Sequence, residues 1–482
     1  MCIRDSITNF INGEYIEPLT DKYLDVFEPA TGKVYAQVPS SGLADVEIAV
    51  DVAQAAFGNW SRTSMEDRAT ILNHISERLH ERSDEMAAYE SRDTGKPISL
   101  ARTVDIPRAI TNLRFFAEHV RSFDVETILD GDNSLNRVSR SPLGVVGCIS
   151  PWNLPLYLFT WKIAPALAVG NCVIAKPSEI TPYTAFKFGE ICVDAGLPEG
   201  VLNIVHGPGD PTGDALVTHH DVKAISFTGG TDTGKIIAGK VSSMFKKLSL
   251  EMGGKNPAII FSDCNYEKML ETVVRSSFSN QGQICLCTSR ILVQDNIMER
   301  FRSDFIRKVD DIQAGDPIQD STDFGAISSE VQREKIMDYI ALAKSEGGKV
   351  LRGGLLMNLS GRCENGWFIE PTIIEGLGPL CRTNQEEIFG PVVTLIPFKN
   401  ETEAIEIANS TEYGLSATIW TEDPEKANRV SDSVDSGVIW VNCWMVRDLR
   451  TPFGGMKRSG LGREGGDDIL RFFTESKNIC TA

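Results

Sequence analysis

The stretch that decides the fold is GVVGCISPWNLPLYLFTWKIAPALAVGNCVIAKPSE, residues 144–179. Val145–Ile149 and Cys172–Ala175 are short apolar runs rich in β-branched residues, a pattern typical of buried parallel strands. Between them lies Leu154–Val169, the most apolar stretch of the chain, which contains Lys162 and two prolines and is too short to cross a membrane. We therefore predict a buried helix between two parallel strands, the repeating unit of an α/β fold.

The same alternation continues along the chain in two series. The first series adds two strands and two helices, namely Val201–Val205, Ala224–Phe227, Tyr183–Asp194 and Lys235–Ser243. The second series follows Gly254, with strands near Ala258–Phe261, Arg290–Val293, Lys349–Arg352 and Val392–Ile396 and helices near Tyr266–Phe278, Asn296–Asp311 and Ser329–Glu346. Before both series, apolar residues at helical spacing predict helices over Val46–Ala56 and Ser64–Arg102. The predicted class is α/β, with a doubly wound first sheet and a second α/β domain.

The composition excludes several classes of protein. A chain of 482 residues with 42% hydrophobic and 24% charged residues has ordinary globular usage, which excludes fibrous and disordered classes. The net charge of −18 disfavours binding to nucleic acid or to an anionic membrane surface. Eleven cysteines, scattered apart from Cys285 and Cys287, do not form a disulfide framework, and the N-terminus lacks the apolar segment of a signal peptide. We expect a cytoplasmic protein.

The positions of the histidines limit the chemistry. All six lie at or before His220, so a nucleophilic cysteine further along the chain would need a carboxylate to manage protons. A zinc site would have to combine Cys285 and Cys287 with distant cysteines, without paired CxxC spacing. We therefore predict no metal site.

Two glycine-rich loops resemble nucleotide-binding motifs. In Gly207–Gly213 the third glycine comes one residue too late for the GxGxxG dinucleotide fingerprint. Gly229–Ile236 fits the GxxxxGK part of a P-loop, but Ile236 replaces the hydroxyl residue that binds Mg²⁺, which disfavours a nucleotide hydrolase. A glycine turn that opens a helix still offers free N–H groups to a pyrophosphate.

One cysteine has unusual neighbours. Cys285 lies in NQGQICLC, residues 280–287, directly after a predicted helix. A cysteine that only packs in the core normally sits among apolar residues, whereas polar and glycine residues lead into Cys285. This setting favours a reactive thiol.

Six short motifs occur in a fixed order along the chain. They are Pro151-Trp152-Asn153-Leu154-Pro155, Lys176-Pro177-Ser178-Glu179, Leu250-Glu251-Met252-Gly253-Gly254-Lys255, Gly282-Gln283-Ile284-Cys285, Glu386-Glu387-Ile388-Phe389-Gly390-Pro391 and Pro452-Phe453-Gly454-Gly455. In this order the chain resembles the NAD(P)-dependent aldehyde dehydrogenase family along essentially its whole length. The resemblance implies that family's fold: a Rossmann-like NAD domain, an α/β catalytic domain and a small oligomerisation element.

The resemblance also implies catalytic roles. Cys285 would attack the aldehyde carbon as a thiolate, and the side-chain amide of Asn153 with the backbone N–H of Cys285 would hold the oxyanion. Glu251 would activate water to hydrolyse the resulting thioester, and Glu464 would pass protons to Glu251. Because Asn153, Glu251 and Cys285 are all present, a catalytically idle family member is disfavoured.

For the cofactor, the resemblance places Lys176 and Glu179 at the adenine ribose, Gly229 to Gly234 at the pyrophosphate, and Glu387 and Phe389 at the nicotinamide end. The second position of that glycine loop is usually serine in the family, but here it is Gly230. Further implied cofactor-binding residues are Ile149, Ser150, Pro151, Trp152, Ser178, Gly209, Gly213, Phe227, Thr228 and Met252. A carboxylate at position 179 would repel a 2′-phosphate, so NAD is favoured over NADP.

The substrate site departs from the common family pattern. Arg447 stands where many members carry an aromatic residue, and arginine at such a point favours an anionic substrate. Arg108, the turn around Trp444 and the Cys285–Cys287 segment resemble the subgroup that oxidises muconic semialdehydes with a 2-amino or 2-hydroxy group, in tryptophan catabolism and aromatic-ring cleavage. Two alternatives remain open: both arginines are surface residues, paired with Asp105 and Asp448, or the substrate is a neutral or cationic aldehyde such as retinal or betaine aldehyde.

The resemblance also divides the chain into regions. We expect an NAD-binding domain over 1–122 and 142–250, a catalytic domain over 251–455, and an oligomerisation element over 123–141 and 456–482. Within this element the segments near Phe123–Ser141 and Phe472–Ile479 would form edge strands, which favours a homodimer or homotetramer.

The assignment of the nucleophile generates a first prediction. Cys285→Ala should abolish aldehyde oxidation while NAD still binds, because the thiolate that forms the thioester is lost. Cys287→Ala is the matched control and should keep most of the activity. NADH production measured at 340 nm compares the two, and an inactive Cys287→Ala protein beside an active Cys285→Ala protein would contradict the assignment.

Overall fold

The computed structural model describes residues 5–482 and has the predicted α/β class. Residues 1–4, which begin the segment in which we predict no signal peptide, lie outside the described residues. In the described part of the chain, no helix is long and apolar enough to cross a membrane.

The strands of the described residues form five sheets. In chain order they are β1 (Asp5–Ser6), β2 (Asn9–Ile11), β3 (Glu14–Ile16), β4 (Tyr23–Glu28), β5 (Lys33–Pro39), β6 (Glu126–Gly131), β7 (Ser134–Pro142), β8 (Val145–Ile149), β9 (Cys172–Lys176), β10 (Leu202–Ile204), β11 (Val222–Thr228), β12 (Lys247–Glu251), β13 (Asn256–Ile260), β14 (Thr288–Gln294), β15 (Lys349–Arg352), β16 (Thr372–Glu375), β17 (Val392–Phe398), β18 (Tyr413–Gly414), β19 (Ser416–Trp420), β20 (Val438–Val441), β21 (Met456–Lys457), β22 (Gly460–Leu461) and β23 (Thr474–Thr481).

The helices lie mostly on the faces of the two large sheets. In chain order they are α1 (Leu43–Trp60), α2 (Met65–Glu81), α3 (Ser83–Thr94), α4 (Ile98–Leu100), α5 (Ile106–His119), α6 (Pro155–Ala168), α7 (Tyr183–Asp194), α8 (Asp214–Thr218), α9 (Thr231–Ser242), α10 (Tyr266–Phe278), α11 (Met298–Asp310), α12 (Glu330–Ser345), α13 (Arg382–Gln385), α14 (Glu401–Asn409), α15 (Pro424–Ser433) and α16 (Gly466–Phe472). The predicted buried helix is confirmed, because every residue of α6 except Leu158 is buried.

The first large sheet has the order β22-β12-β11-β8-β9-β10-β2-β3. Its five central strands, β12 to β10, are parallel, and the outer strands pair antiparallel. The chain starts in the middle at β8, runs outward through β9 and β10, and then returns to the other side at β11. Ligands of doubly wound sheets bind at the carboxyl ends of the strands where the order reverses, here at Ile149 and Thr228.

The second large sheet has the order β15-β16-β17-β14-β13-β19-β20. All its neighbours are parallel except β15, which pairs antiparallel with β16 at the edge. The prediction placed Lys349–Arg352 in the parallel series, and this is wrong because the loop of residues 353–371, which contains an antiparallel bridge between Leu356 and Ile369, returns the chain in the opposite direction. Three parallel strands, β16, β19 and β20, were not predicted.

A separate antiparallel sheet, β23-β7-β6, joins the C-terminal strand to the hairpin of residues 126–142. All residues of β6, and all of β23 after Thr474, are exposed. Residues 456–461 lie elsewhere, since β21 pairs with β18 and β22 extends the first large sheet. The sheet β23-β7-β6 therefore involves only part of the predicted 456–482 segment.

A buried arginine links the second sheet to α14. The guanidinium of Arg290 on β14 donates to the carbonyl oxygens of Lys255 at 2.9 Å, Ile407 at 2.8 Å and Ala408 at 2.8 Å. The last two carbonyls belong to the final turn of α14, where carbonyl groups have no partner within the helix. Arg290 thus caps α14 from inside the domain.

This cap generates a stability prediction. Arg290→Met should lower the free energy of unfolding by about 3 kcal/mol or more, because several buried carbonyl oxygens lose their donor. Arg429→Met is the control, since Arg429 is an exposed partner of Glu401 on the same helix α14, and it should leave the urea unfolding curve nearly unchanged. Equal unfolding curves for the two variants would contradict the role of Arg290.

Candidate active site

The candidate site lies where the two large sheets face each other. Glu251 ends β12 at the carboxyl end of the first sheet, and the chain crosses directly to Asn256, which begins β13 of the second. The loop with Cys285 precedes β14 and reaches the same gap. Carboxyl ends of one sheet therefore oppose amino ends of the other.

Two adjoining cavities fill this gap. The central cavity, of about 170 Å³, is lined by Pro151, Trp152, Asn153, Leu158, Thr228, Gly229, Gly230, Met252, Gly253, Cys285, Gln332, Lys335, Glu387 and Phe389. The inner cavity is narrow, about 30 Å³, and is lined by Leu154, Tyr157, Leu158, Trp161, Thr228, Glu251, Met252, Ile284, Cys285, Leu286, Met445, Arg447, Phe453 and Glu464. Cys285 lines both cavities, so this residue lies at the boundary between them.

The loop before Cys285 adopts an unusual backbone. Asn280, Gln281 and Gly282 have φ angles of 51°, 56° and 70°, a conformation that side-chain-bearing residues rarely adopt. A Cβ at Gly282 would lie 2.2 Å from the carbonyl oxygen of Gly390, so glycine is required there. Strained backbone of this kind concentrates at functional sites.

Side-chain amides hold the loop in place. Asn153 Nδ2 donates to the carbonyl oxygen of Gln283 at 2.9 Å, and Asn280 Nδ2 donates to the same oxygen at 3.2 Å. Asn256 Nδ2 donates to the carbonyl oxygens of Cys285 and Cys287 at 2.6 and 2.9 Å. These bonds satisfy buried carbonyl groups and fix the direction of the Cys285 side chain.

The two cysteines of the loop have different surroundings. Cys287 is buried, and its Sγ lies 3.6 Å from the carbonyl oxygen of Ser279. Burial and the nearby carboxylates of Glu387 and Glu251 raise the pKa of the Cys285 thiol, whereas the cation of Arg447 lowers it. All described cysteines are free thiols.

Glu251 is a buried carboxylate with no hydrogen-bond partner among the described residues. Burial and the charge of Glu464 raise its pKa well above the ordinary value. Its Oε1 lies against Gly454, where a Cβ would approach to 2.8 Å. A carboxylate with raised pKa and free oxygens is suited to act as a general base on water.

Glu464 lines the inner cavity with Glu251 but has its own partners. Its Oε1 accepts hydrogen bonds from Lys162 Nζ at 2.8 Å and Ser226 Oγ at 3.3 Å. The side chains of Glu464 and Lys162 are both buried. The structure shows no direct hydrogen bond between Glu464 and Glu251. A proton path between them would need a water molecule.

Most of the predicted cofactor residues line cavities. The central cavity collects Pro151, Trp152, Thr228, Gly229, Gly230, Met252, Glu387 and Phe389. A third cavity of about 380 Å³, here called the distal cavity, collects Ile149, Lys176, Gly209, Gly213 and Phe227 with the apolar side chains of Val217, Ile236 and Ile237. Helix α9 begins between the two cavities at Gly230, and no side chain caps its free N–H groups.

The remaining cofactor candidates lie close by. Lys176 Nζ is 3.5 Å from Glu179 Oε2, and Glu179 lies beside Trp152 along a further cavity. Ser150 and Ser178 line none of these cavities, and a Cβ at Gly234 would approach Met252 Sδ to 2.3 Å, so Gly234 allows close packing rather than ligand contact. Lys235, the lysine of the P-loop-like motif, is exposed and pairs with Asp232.

The arginine predictions have different outcomes. Arg447 lines the inner cavity, with its guanidinium carbon 3.9 Å from the centre of the Phe453 ring. Arg108 lines none of the three cavities, and its guanidinium lies 5.8 Å from the centre of the Tyr157 ring. Within residues 5–482 neither arginine forms the ion pair considered from the sequence, because Asp105 pairs with Lys96 and Asp448 with Arg450.

Several lining residues were not predicted. Gln332 and Lys335 on α12 reach the central cavity, and Tyr157 and Trp161 on α6 form a wall of the inner one. The spacing of Tyr157 and Trp161, four residues apart, places them on one face of α6 and was a usable signal. No pattern in a single sequence predicts that α12 lies at this gap.

A possible metal-ligating group occurs away from the site. His219, His220 and Asp221 have ligand atoms within 4.8 Å of one another, on consecutive residues of a surface turn between α8 and β11. None of them lines the three cavities. The absence of a metal site at the candidate active site stays a prediction.

The chain is similar to characterised proteins along its whole length. It is 48% identical over 476 residues to 2-aminomuconic semialdehyde dehydrogenase of Danio rerio, covering 98% of this chain and 97% of that protein. It is 43% identical over 480 residues to 2-hydroxymuconic semialdehyde dehydrogenase of Pseudomonas sp. (strain CF600), covering 98% and 99%.

Solved structures have the same fold. The NAD⁺ complex of betaine aldehyde dehydrogenase from Staphylococcus aureus superimposes with a TM-score of 0.95 at 35% identity, covering 98% of this chain and 94% of that chain. The family model described as "Aldehyde dehydrogenase family" matches residues 15–479. With the thiol, the carboxylate and the amide gathered in one gap between two sheets, the chain belongs to the aldehyde dehydrogenase family.

Proposed function

We propose that this protein oxidises a muconic semialdehyde, an aldehyde that carries a distal carboxylate, to the dicarboxylic acid with NAD as cofactor. The observation that carries the proposal is Arg447, whose guanidinium forms no ion pair with a carboxylate within residues 5–482 and lies in the wall that also holds Cys285 and Glu251. The relatives named for 2-aminomuconic and 2-hydroxymuconic semialdehydes support this substrate class.

The first half of the reaction takes place at Cys285. Its thiolate adds to the aldehyde carbon, a C–S bond forms, and the carbonyl oxygen becomes an oxyanion. One N–H of the Asn153 amide is used by Gln283, which leaves the second N–H for the oxyanion. Because Asn153 is itself held, this donor is oriented before charge develops.

The cavities fit NAD. The uncapped N-terminus of α9 suits a pyrophosphate, the apolar walls of the distal cavity suit an adenine ring, and Glu387 and Phe389 line the central cavity beside Cys285. Lys176 and Glu179 would hold the adenine ribose. When bound, NAD supplies the acceptor for the hydride that leaves the aldehyde carbon.

The second half of the reaction needs a base. Glu251 removes a proton from water, the water oxygen bonds to the thioester carbon, and the C–S bond breaks to release the acid and the Cys285 thiolate. Glu464, held by Lys162, would exchange protons with Glu251 through a water molecule. Both carboxylates line the inner cavity, so this path stays short.

Arg447 favours anionic aldehydes over cationic or neutral ones. A half-buried guanidinium packed against Phe453 and free of carboxylate partners favours an anion and disfavours a cation such as betaine aldehyde. Arg108, whose guanidinium lies 5.8 Å from the centre of the Tyr157 ring, would add a second positive charge outside the cavity wall. The alternative, a neutral aldehyde, would leave the guanidinium of Arg447 without a substrate group to bind.

Assembly and compartment belong to the same proposal. The exposed strands β6 and β23 leave unpaired sheet edges, which supports a homodimer or homotetramer, with the hairpin and the C-terminal strand as oligomerisation element. The free thiols support a reducing compartment, the cytoplasm. A net charge of −18 argues against nucleic acid as a partner.

The role of Arg447 generates a prediction about specificity. Arg447→Ala should lower kcat/KM at least about tenfold on a semialdehyde with a distal carboxylate, because a bidentate contact is lost, and change little on a neutral aldehyde of similar length. Arg450→Ala, in the same loop but exposed and paired with Asp448, is the matched control and should affect neither substrate. Equal losses of Arg447→Ala on both substrates would show a disturbed loop instead.

The role of Glu251 generates a prediction about the intermediate. Glu251→Gln should release a burst of about one NADH per active site and then nearly stop, with an acyl group attached to Cys285 in the intact mass. In the unmodified protein, the hydrolysis rate should fall as pH is lowered, beginning well above the ordinary carboxyl range, since the base has a raised pKa. Glu475→Gln, an exposed carboxylate paired with Lys247 of β12, is the control. A stalled Glu251→Gln protein without an adduct would contradict the assignment.

A further inference from the structure

A buried ion pair behind the central cavity has no part in the chemistry above. Lys96 Nζ contacts Asp105 Oδ2, and both side chains have no exposed surface. Removing two charges from water costs free energy, and replacing such pairs by apolar residues is often neutral or stabilising. Stability of the fold is therefore a weak reason for this pair.

The ammonium of Lys96 has a further contact that leads to the active site. Lys96 Nζ donates to the backbone carbonyl oxygen of Asn153 at 3.0 Å. Asn280 Nδ2 donates to the same oxygen at 3.0 Å. The backbone of Asn153 is thus held from one side by a buried cation and from the other by the loop that carries Cys285.

The two residues of the pair are themselves fixed. Lys96 follows Gly95, whose φ of 77° and close contact with Ala326 exclude a side chain. The backbone carbonyl oxygen of Lys96 accepts a hydrogen bond from Ser91 Oγ at 2.7 Å. Asp105 ends a π-helical turn, Ala101–Asp105, that leads into α5. Such turns are rare and are frequent at functional sites.

We propose that the Lys96–Asp105 pair is a positioning element for the Asn153 amide. Asp105 orients the ammonium of Lys96, and Lys96 holds the Asn153 carbonyl so that the free side-chain N–H points toward the oxyanion position beside Cys285. This rests on the oxyanion role proposed for Asn153. Lys96 and Asp105 are positioning residues, because neither lines the central, inner or distal cavity.

The experiment replaces both residues of the pair together, so that neither Lys96 nor Asp105 is left buried without the other. The Lys96→Met/Asp105→Leu protein should fold and bind NAD as before, while the rate constant of the first NADH burst falls about 10- to 100-fold, since a donor misplaced by about 1 Å costs that much. The KM for the aldehyde should change little. Lys426→Met/Asp263→Leu removes a Lys–Asp pair away from the site and is the matched control.

A mutant cycle with Asn153→Ala decides whether the pair acts through Asn153. If it does, adding both pair substitutions to Asn153→Ala should slow the burst no further. Losses that multiply, an unchanged burst in the pair variant, or a pair variant that does not fold would each overturn the proposal. An unchanged burst in Asn153→Ala alone would instead overturn the proposed oxyanion role.

Discussion

The position of the nucleophile depends on satisfying buried carbonyl groups in the loop of residues 283–287. Each of these carbonyls needs a donor, because the loop is enclosed between two sheets. Side chains from distant segments supply them: Asn153 after β8, Asn256 at the start of β13, and Trp444, whose Nε1 donates to the carbonyl oxygen of Leu286 at 3.0 Å. The loop is therefore correctly shaped only when both sheets have folded and docked.

The opposed sheets explain how the two halves of the reaction share one thiol. Carboxyl ends of the first sheet supply the glycine turn at Gly229 and Glu251, the proposed base, whereas the second sheet supplies Cys285 from an amino end. The central cavity therefore contains most of the residues proposed to bind the nicotinamide end of the cofactor, and the inner cavity contains the carboxylates of Glu251 and Glu464. Cys285 lines both cavities, so one residue can take part in both proposed steps.

Local patterns predict part of this arrangement well. The strand–helix–strand unit around α6 follows from apolar periodicity, and Cys285, Glu251 and Asn153 occur in motifs whose order is specific. Contacts between distant segments are not predicted by local patterns. In the sequence Asn256 is an ordinary strand residue, and only the structure shows that its side-chain amide donates to the Cys285 loop. Tertiary packing, which a single sequence does not specify, also decides three other features. Asp105 pairs with Lys96 instead of Arg108, β15 runs antiparallel to β16, and Arg108 does not line the inner cavity.

A crystal structure of the Cys285→Ala protein with NAD and a muconic semialdehyde tests the central claim most directly. In that structure we expect the aldehyde oxygen to lie within hydrogen-bond distance of Asn153 Nδ2 and the distal carboxylate to contact the guanidinium of Arg447 through two hydrogen bonds. A substrate bound with its carboxylate in solvent and Arg447 still packed on Phe453 alone would contradict the account.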